Sequence, residues 1–175
     1  MEREPQLPRL NLPPIEAEVR READGIVRIY DNLRRKFVAL TPEEWVRQHF
    51  VRFLISEKGY PEGLMANEVP LKLNRTSRRC DTVLFERQTI KPLAIVEYKA
   101  PHIEITQKVF DQIARYNLIM GARLLIVSNG LTHYCCLRTS PDSDPEATPP
   151  PPLRYAFLKE IPTYSDLLHL LETKL

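Results

Sequence analysis

The chain has 175 residues, of which 43% are hydrophobic and 27% charged, and its formal net charge is +2 at pH 7. This length suits one compact domain, and the near-neutral charge means that a polyanion would have to be bound by local basic patches. No stretch approaches the roughly 20 apolar residues of a membrane span. Three cysteines without ligand spacing argue against a disulfide framework or a cysteine metal site. We therefore expect a reduced, cytoplasmic protein with no membrane partner.

The N-terminal region, residues 1–24, is predicted to be a proline-rich arm. Four of its first 14 residues are proline, and it shows little hydrophobic periodicity. Two short apolar runs follow at residues 26–30 and 36–40. The polar residues between these runs predict a β-hairpin.

A strong helix start follows the hairpin. Thr41 suits the N-cap, Pro42 suits the first turn, and Glu44 is placed to close a capping box. The helix is predicted to end near Lys58. Glu44 thus has a structural interpretation, although it could also face a metal site if its helix crosses the strand ends.

The remaining elements alternate between strands and helices around one core, predicted to span residues 25–138. Their order predicts an α/β sandwich around one mixed sheet. Two further segments are predicted, a proline-rich surface loop at 139–152 and a strand and helix within 153–175 that pack on the core. Within the core, the expected elements are a strand at 64–73, a polar turn at 74–79, strands near Asp81 and Glu97, a helix at about 103–120, and strands at 123–127 and 132–137.

An apolar strand that ends in charged residues is the most informative local pattern. Residues 93–96 are Leu, Ala, Ile and Val, a run typical of a buried strand, and Glu97-Tyr98-Lys99 follows. Because side chains alternate along a strand, Glu97 and Lys99 are predicted to share one face and Tyr98 to take the other. Asp81, at the start of the preceding strand, supplies a second carboxylate.

Asp81, Glu97 and Lys99 are candidates for a metal-dependent hydrolytic site. Two carboxylates from neighbouring strands suit Mg²⁺ (or Mn²⁺), which prefers few protein oxygens together with waters and phosphate. The metal would polarise a phosphate, and Lys99 would orient the water or neutralise developing charge. The alternative is a salt bridge at the end of the sheet, and spacing alone leaves both interpretations open.

Gln112 and Tyr116 form a second candidate pair on the following helix. They are four residues apart and therefore lie on one helix face, where an amide and a phenol could contact phosphate or a base edge. The alternative is an amphipathic helix on which Gln112 is merely solvated.

A further acid and several basic residues complete the candidates. Glu68 lies on the strand before Asp81 and is equally open to a structural or a functional interpretation. The basic residues could rim a phosphate-binding groove, or they could be solvated turn residues. The candidates for nucleic-acid binding are Arg75, Arg78, Arg79, Lys108 and Arg115.

The order of these residues along the chain resembles the PD-(D/E)xK nuclease superfamily. Segments 41–48 and 95–101 resemble the N-terminal nuclease domain of type I restriction enzyme R subunits, which shares a Q-x-x-x-Y motif with RecB-type nucleases. The resemblance runs from about residue 26 to residue 137. It is carried by Glu44 with Arg47 and Gln48, by Asp81, by Glu97-Tyr98-Lys99, and by Gln112 to Tyr116.

The resemblance implies a single restriction-endonuclease-like α/β sandwich, with a central mixed sheet flanked by helices. It also implies a Mg²⁺-dependent phosphodiesterase site and DNA as the substrate. Carried over by position, the metal ligands are Asp81 and Glu97, the catalytic lysine is Lys99, the accessory motif is Gln112 and Tyr116, and an accessory acid is Glu44.

Two features depart from the family pattern. Cys80 stands where the superfamily's name-giving proline would be, and the sequence has no Walker-type G-x-x-x-x-G-K-[ST] motif. We therefore do not expect ATP-driven restriction from this polypeptide alone. The chain is expected to be a stand-alone nuclease domain, a component that works with other restriction or repair subunits, or a relative that binds without cutting.

The main functional hypothesis is metal-dependent hydrolysis of DNA phosphodiester bonds. The first alternative is a non-catalytic nucleic-acid-binding or assembly module on the same fold. The second is a structural protein whose charged residues form a salt-bridge cluster.

Overall fold

The computed structural model describes residues 7–73, 76–140 and 153–173. These residues form nine strands, three α-helices and a short 3-10 helix at Glu62–Leu64. The strands and helices, in chain order, are β1 Val19–Arg21, β2 Val27–Asp31, β3 Lys36–Ala39, α1 Pro42–Ser56, β4 Met65–Leu73, β5 Thr76–Phe85, β6 Pro92–Tyr98, α2 Gln107–Met120, β7 Leu124–Ser128, β8 His133–Arg138, β9 Tyr155–Leu158 and α3 Tyr164–Glu172.

The strands form two sheets. β1, β2 and β3 make an antiparallel three-stranded sheet, which includes the predicted hairpin. The larger sheet has the order β4-β5-β6-β7-β8-β9, and β6 pairs with β7 in parallel while the other pairs are antiparallel. A parallel pair needs a crossover connection, and α2 supplies it. The predicted α/β fold with one central mixed sheet is confirmed.

Helices cover both faces of the larger sheet. We call the two buried clusters the α1-side core and the α2-side core. Members of the α1-side core include Val46, Phe50, Leu84, Val96, Tyr98 and Leu167. Members of the α2-side core include Val83, Ile95, Val109, Ile113 and Leu125. Alternate residues of the central strands therefore enter opposite layers, as expected for a sheet buried on both faces.

Helix α1 begins where the sequence predicts. Thr41 is the N-cap, its hydroxyl accepts the Glu44 N–H at 3.1 Å, and Pro42 is the first helical residue. A capping box also requires the Glu44 side chain to accept the Thr41 backbone N–H, and this part of the prediction is wrong. The Thr41 N–H donates to the Ala39 carbonyl at 3.1 Å, because the chain enters the helix directly from the β2–β3 hairpin. The Glu44 carboxylate is therefore available for other contacts.

Two predicted boundaries need correction. The polar segment predicted as a turn at 74–79 is largely strand, since β5 begins at Thr76 and pairs with the end of β4. Ladder hydrogen bonds outweigh the weak strand preference of polar residues here. Residues 103–106 precede α2, which begins at Gln107 and ends before Gly121, whose φ of 67° suits a helix C-cap.

Part of the predicted N-terminal arm packs against the rest of the fold. Leu10 and Leu12 contact the α1-side core, the Trp45 indole N–H donates to the Pro8 carbonyl at 3.1 Å, and β1 pairs with β2. Residues 1–6 of the arm and 141–152 of the predicted surface loop lie outside the described residues.

Within the described part of the chain, no helix combines the length and apolar character needed to cross a membrane.

Candidate active site

Strand β5 reverses its side-chain alternation at Asp81. The Thr82 hydroxyl accepts a hydrogen bond at 3.0 Å from Tyr98, which belongs to the α1-side core, whereas Cys80 packs in the α2-side core. Regular alternation would place residues 80 and 82 on the same face. The carboxylate of Asp81 is therefore set between the two layers. Groups from α1 and from the C-terminal end of β6 can both reach it there.

Strand β4 carries the matching irregularity at Glu68. Asn67 accepts a hydrogen bond from Thr82 at 2.6 Å, whereas Val69, two residues further on, packs in the α2-side core. Glu68 lies between them, opposite Asp81, and has a φ of 58°. A left-handed backbone costs a residue with a side chain about 1–2 kcal/mol. Strain of this kind clusters at functional sites.

This strain predicts a difference between two variants. Glu68→Gly and Glu68→Ala both remove the carboxylate, but glycine adopts a φ of 58° without penalty. We expect the glycine variant to have a free energy of unfolding about 1 kcal/mol higher than that of the alanine variant. Urea denaturation of the two proteins would measure the difference. Equal stabilities would show that the backbone relaxes at this position.

Asp81 is held through both of its oxygens. Oδ1 accepts Arg47 Nη2 at 3.0 Å, and Oδ2 accepts the Tyr98 backbone N–H at 2.8 Å. Burial raises the pKa of Asp81, and the charge of Glu68 raises it further, while Arg47 and the Tyr98 N–H oppose the rise. The contacts fix the orientation of the carboxylate but leave further lone pairs available to a ligand.

Glu97 lies beside Asp81 on the neighbouring strand. β5 and β6 are antiparallel, and their register pairs Thr82 with Val96. The next pair of facing positions is therefore Asp81 on β5 and Glu97 on β6. Burial, followed by the charge of Asp81, raises the pKa of Glu97 to about 7. A carboxyl group with this pKa can gain or lose a proton near neutral pH, as catalytic carboxyl groups often do.

Lys99, Gln112 and Tyr116 surround the Glu97 carboxylate. Lys99 Nζ lies 2.8 Å from Glu97 Oε1, and the Gln112 side-chain amide donates to the same oxygen and lies 3.2 Å from the Tyr116 hydroxyl. Burial lowers the pKa of Lys99, but the hydrogen bond and charge of Glu97 outweigh it and raise the pKa overall. Tyr98 points into the opposite core, which confirms the predicted alternation.

Glu44 belongs to a neighbouring buried network. Its carboxylate accepts Arg34 Nη2 at 2.6 Å, Arg47 Nη1 at 3.0 Å and the Gln48 amide at 2.8 Å. Arg34 is in turn paired with Asp31 at the end of β2. Glu44 therefore connects to Asp81 through Arg47, and the β2–β3 hairpin is tied to the same network.

Glu43 is an acid that the sequence analysis missed. Burial and the charge of Asp81 raise its pKa, and its own charge raises the pKa values of Glu97 and Lys99. It is thus electrostatically part of the site, although Glu44 is the more buried of the two. The available signal was helical spacing, because Glu43 and Arg47 are four residues apart and share a face of α1.

The basic candidates lie in two exposed groups. Arg78 and Arg79 are on β5, and Arg79 Nη1 lies 3.4 Å from Glu68 Oε2. Lys108 and Arg115 are on α2, where helical spacing places them on either side of Gln112. Arg75 lies outside the described residues.

The donor atoms of the site suit a hard divalent cation. In the described ranges, no group of three or more His, Cys, Asp or Glu side chains is placed to hold a metal ion. Asp81 and Glu97 nevertheless offer carboxylate oxygens from adjacent positions, and Mg²⁺ commonly takes one or two carboxylates and completes its shell with water and phosphate. These two residues would hold the metal.

A mixed sheet between helices, with carboxylates facing each other on two neighbouring strands and a lysine two residues after one of them, defines a PD-(D/E)xK nuclease-like domain. The comparison with family models gives the particular family. The model described as "Type I restriction enzyme R protein N terminus (HSDR_N)" matches residues 42–162. The chain belongs to this family, which supports a restriction-endonuclease-like function. A comparison with curated proteins finds no significant match.

Proposed function

We propose that the protein hydrolyses DNA phosphodiester bonds with the help of Mg²⁺ or Mn²⁺. The observation that carries this proposal is the juxtaposition of Asp81 and Glu97 on adjacent strands, with Lys99 Nζ 2.8 Å from Glu97. Membership of the restriction enzyme family supports the same activity, because restriction nucleases generally use divalent metals. Other restriction-modification subunits are the proposed protein partners.

Each residue of the candidate site would have its own role in the reaction. A bound divalent cation would polarise the phosphate and lower the pKa of a water molecule. Asp81 and Glu97 would hold that cation, and the Lys99 ammonium would orient the attacking water and offset developing negative charge. Gln112 donates to Glu97 from α2 and would keep this carboxylate turned toward the site.

The test is a plasmid-cleavage assay with Mg²⁺, Mn²⁺ or EDTA. We expect the wild type to cleave with either metal, and EDTA to stop cleavage. Lys99→Ala should reduce the rate about 10²–10³-fold, the typical loss when one preorganised charge is removed from an active site. Lys91→Ala, which changes an exposed lysine before β6, is the control and should cleave at the wild-type rate. Absence of cleavage by the wild type with any metal would refute the proposal.

The basic residues on α2 predict how DNA binding depends on salt. Lys108 and Arg115 are exposed on either side of Gln112, where they could each contact a phosphate. The double variant Lys108→Gln/Arg115→Gln should bind all DNA sequences more weakly. Its slope of log K against log salt concentration should be shallower by about 2, one unit for each lost phosphate contact.

Fluorescence anisotropy with a labelled duplex would measure this slope. It should be recorded in Ca²⁺, with cleavage checked separately, so that binding and cutting are not confused. The control is Lys58→Gln, because Lys58 follows α1 and packs near α3 instead of α2. An unchanged slope in the double variant would place the DNA elsewhere.

A second function is favoured by the ion pairs of the site. Asp81 is paired with Arg47, and Glu97 with Lys99, as in a salt-bridge cluster of a non-catalytic module. Such a module would bind DNA with equal affinity in metal and in EDTA, and would not cleave it. The cleavage and anisotropy measurements together separate the two functions.

A further inference from the structure

Arg47 is a buried cation that contacts three carboxylates beside the candidate metal ligands. Nη1 lies 3.0 Å from Glu44 Oε2. Nη2 lies 2.7 Å from Glu68 Oε1 and 3.0 Å from Asp81 Oδ1. The Arg47 side chain is only 4% exposed, so these charges interact with little screening by water. One positive charge thus holds acids from α1, β4 and β5 together.

Arg47 and a metal ion would compete for the same carboxylate. In the described part of the chain, Arg47 is the cation that forms an ion pair with Asp81, and it does so at Oδ1. The other oxygen, Oδ2, accepts the Tyr98 N–H. A divalent cation bound to Asp81 would lie near the guanidinium, and two such charges repel strongly in a buried site.

The surrounding contacts allow Arg47 to shift. Within the described residues, Arg47 Nε–H is buried and has no hydrogen-bond partner. Glu44 would keep its bonds from Arg34 and Gln48 if Arg47 moved. Glu68 is partly exposed and could be solvated. Loss of the contact with Asp81 would therefore leave no neighbouring carboxylate both buried and unpaired.

We propose that Arg47 is a positioning residue that serves as the counter-cation of the metal-free site. It holds Asp81 in place before metal arrives, and the incoming ion weakens its contact with Asp81 Oδ1. Arg47 then remains bound to Glu44, three residues before it on α1. This inference rests on the metal-dependent function proposed above.

The first test compares Mn²⁺ binding with catalysis. Isothermal titration calorimetry should show that Arg47→Met binds Mn²⁺ at least about tenfold more tightly than the wild type, because the competing charge is gone. At saturating Mn²⁺, kcat for plasmid cleavage should fall about 10²-fold, because Asp81 is no longer oriented. Arg47→Lys retains the charge and should bind Mn²⁺ within about threefold of the wild type.

The opposed changes in affinity and kcat separate this role from a purely structural one. A variant with damaged folding would lose both affinity and kcat, and a shifted thermal unfolding curve would reveal it. If Arg47→Met binds Mn²⁺ no more tightly than the wild type, the inference is overturned and the nuclease proposal stands. If the wild type binds no Mn²⁺ and does not cleave, both are overturned.

A second measurement uses the wild type and does not depend on any variant folding well. The ¹⁵N resonance of Arg47 Nε, assigned by its absence in Arg47→Lys, should shift as Mg²⁺ is added and should saturate with the binding curve. Arg52 lies five residues further along α1, where it lines a cavity with Tyr30 and Ile55, and it provides the control resonance, which should not move. An Arg47 signal unchanged at saturating Mg²⁺ would overturn the inference.

Discussion

Asp81→Asn is expected to lower the rate of metal-dependent plasmid cleavage at least about 10³-fold and to weaken Mn²⁺ binding measurably. The substitution keeps the size of the side chain and removes its charge. It also places an amide N–H₂ group against either Arg47 Nη2 or the Tyr98 N–H, both of which are donors in the wild type. One donor is then left unpaired, which should lower the free energy of unfolding by about 1–3 kcal/mol.

The control for this prediction is Asp111→Asn. Asp111 is an exposed acid on α2, and its carboxylate accepts a hydrogen bond from Gln107, away from the metal ligands. It should leave both the cleavage rate and Mn²⁺ affinity unchanged. Cleavage should be measured at a temperature at which circular dichroism shows each variant fully folded. If Asp81→Asn then cleaves within tenfold of the wild type, Asp81 is not a metal ligand.

The sequence is most predictive where local spacing determines the geometry. The alternation of β6 places Glu97 and Lys99 on one face and Tyr98 on the other, as predicted. Helical spacing likewise brings Gln112 and Tyr116 within 3.2 Å of each other. Both relations follow from the period of a single element, so no knowledge of tertiary structure is needed.

Other parts of the site depend on contacts between distant segments. Thr41 at the N-cap and Glu44 three residues later fit a capping box, but the hairpin before α1 directs the Thr41 N–H to Ala39 and the Glu44 carboxylate to Arg34. The reversed alternation at Asp81 lies opposite the left-handed backbone of Glu68 on the neighbouring strand. Glutamate has no preference for this conformation, so the sequence pattern carries no signal of it.

The final prediction concerns Glu97, which is expected to have opposite effects on the stability of the protein and on its activity. Its pKa is raised from the usual 4.5 to about 7, chiefly by burial and then by Asp81. The folded, metal-free protein therefore retains this proton between about pH 4.5 and pH 7, whereas the unfolded chain has already released it. Because the folded state binds more protons in this range, the stability contributed by Glu97 is complete below pH 4.5 and is lost as pH rises through 7.

Glu97→Gln removes this titration and one buried negative charge. In EDTA, we expect the variant to match the wild type in free energy of unfolding at pH 5 and to exceed it by about 1–2 kcal/mol at pH 8. Lys99 loses its ion-pair partner in this variant, but its side chain is 21% exposed and can be solvated. The loss therefore reduces the gain in free energy of unfolding without cancelling it. The same variant should cleave at least about 10³-fold more slowly, because a metal-holding carboxylate is gone.

Urea denaturation at the two pH values, with and without Mg²⁺, would test this reasoning. Mg²⁺ should stabilise the wild type more at pH 8 than at pH 5, since the ion competes with the proton for Glu97. It should stabilise Glu97→Gln little at either pH. If Glu97→Gln is less stable than the wild type at pH 8, the ion pair between Glu97 and Lys99 stabilises the fold by more than the burial of the Glu97 charge costs. That result would indicate a purely structural salt bridge. A more stable, inactive variant would instead show that the wild type keeps a destabilising carboxylate at a position where the metal requires it.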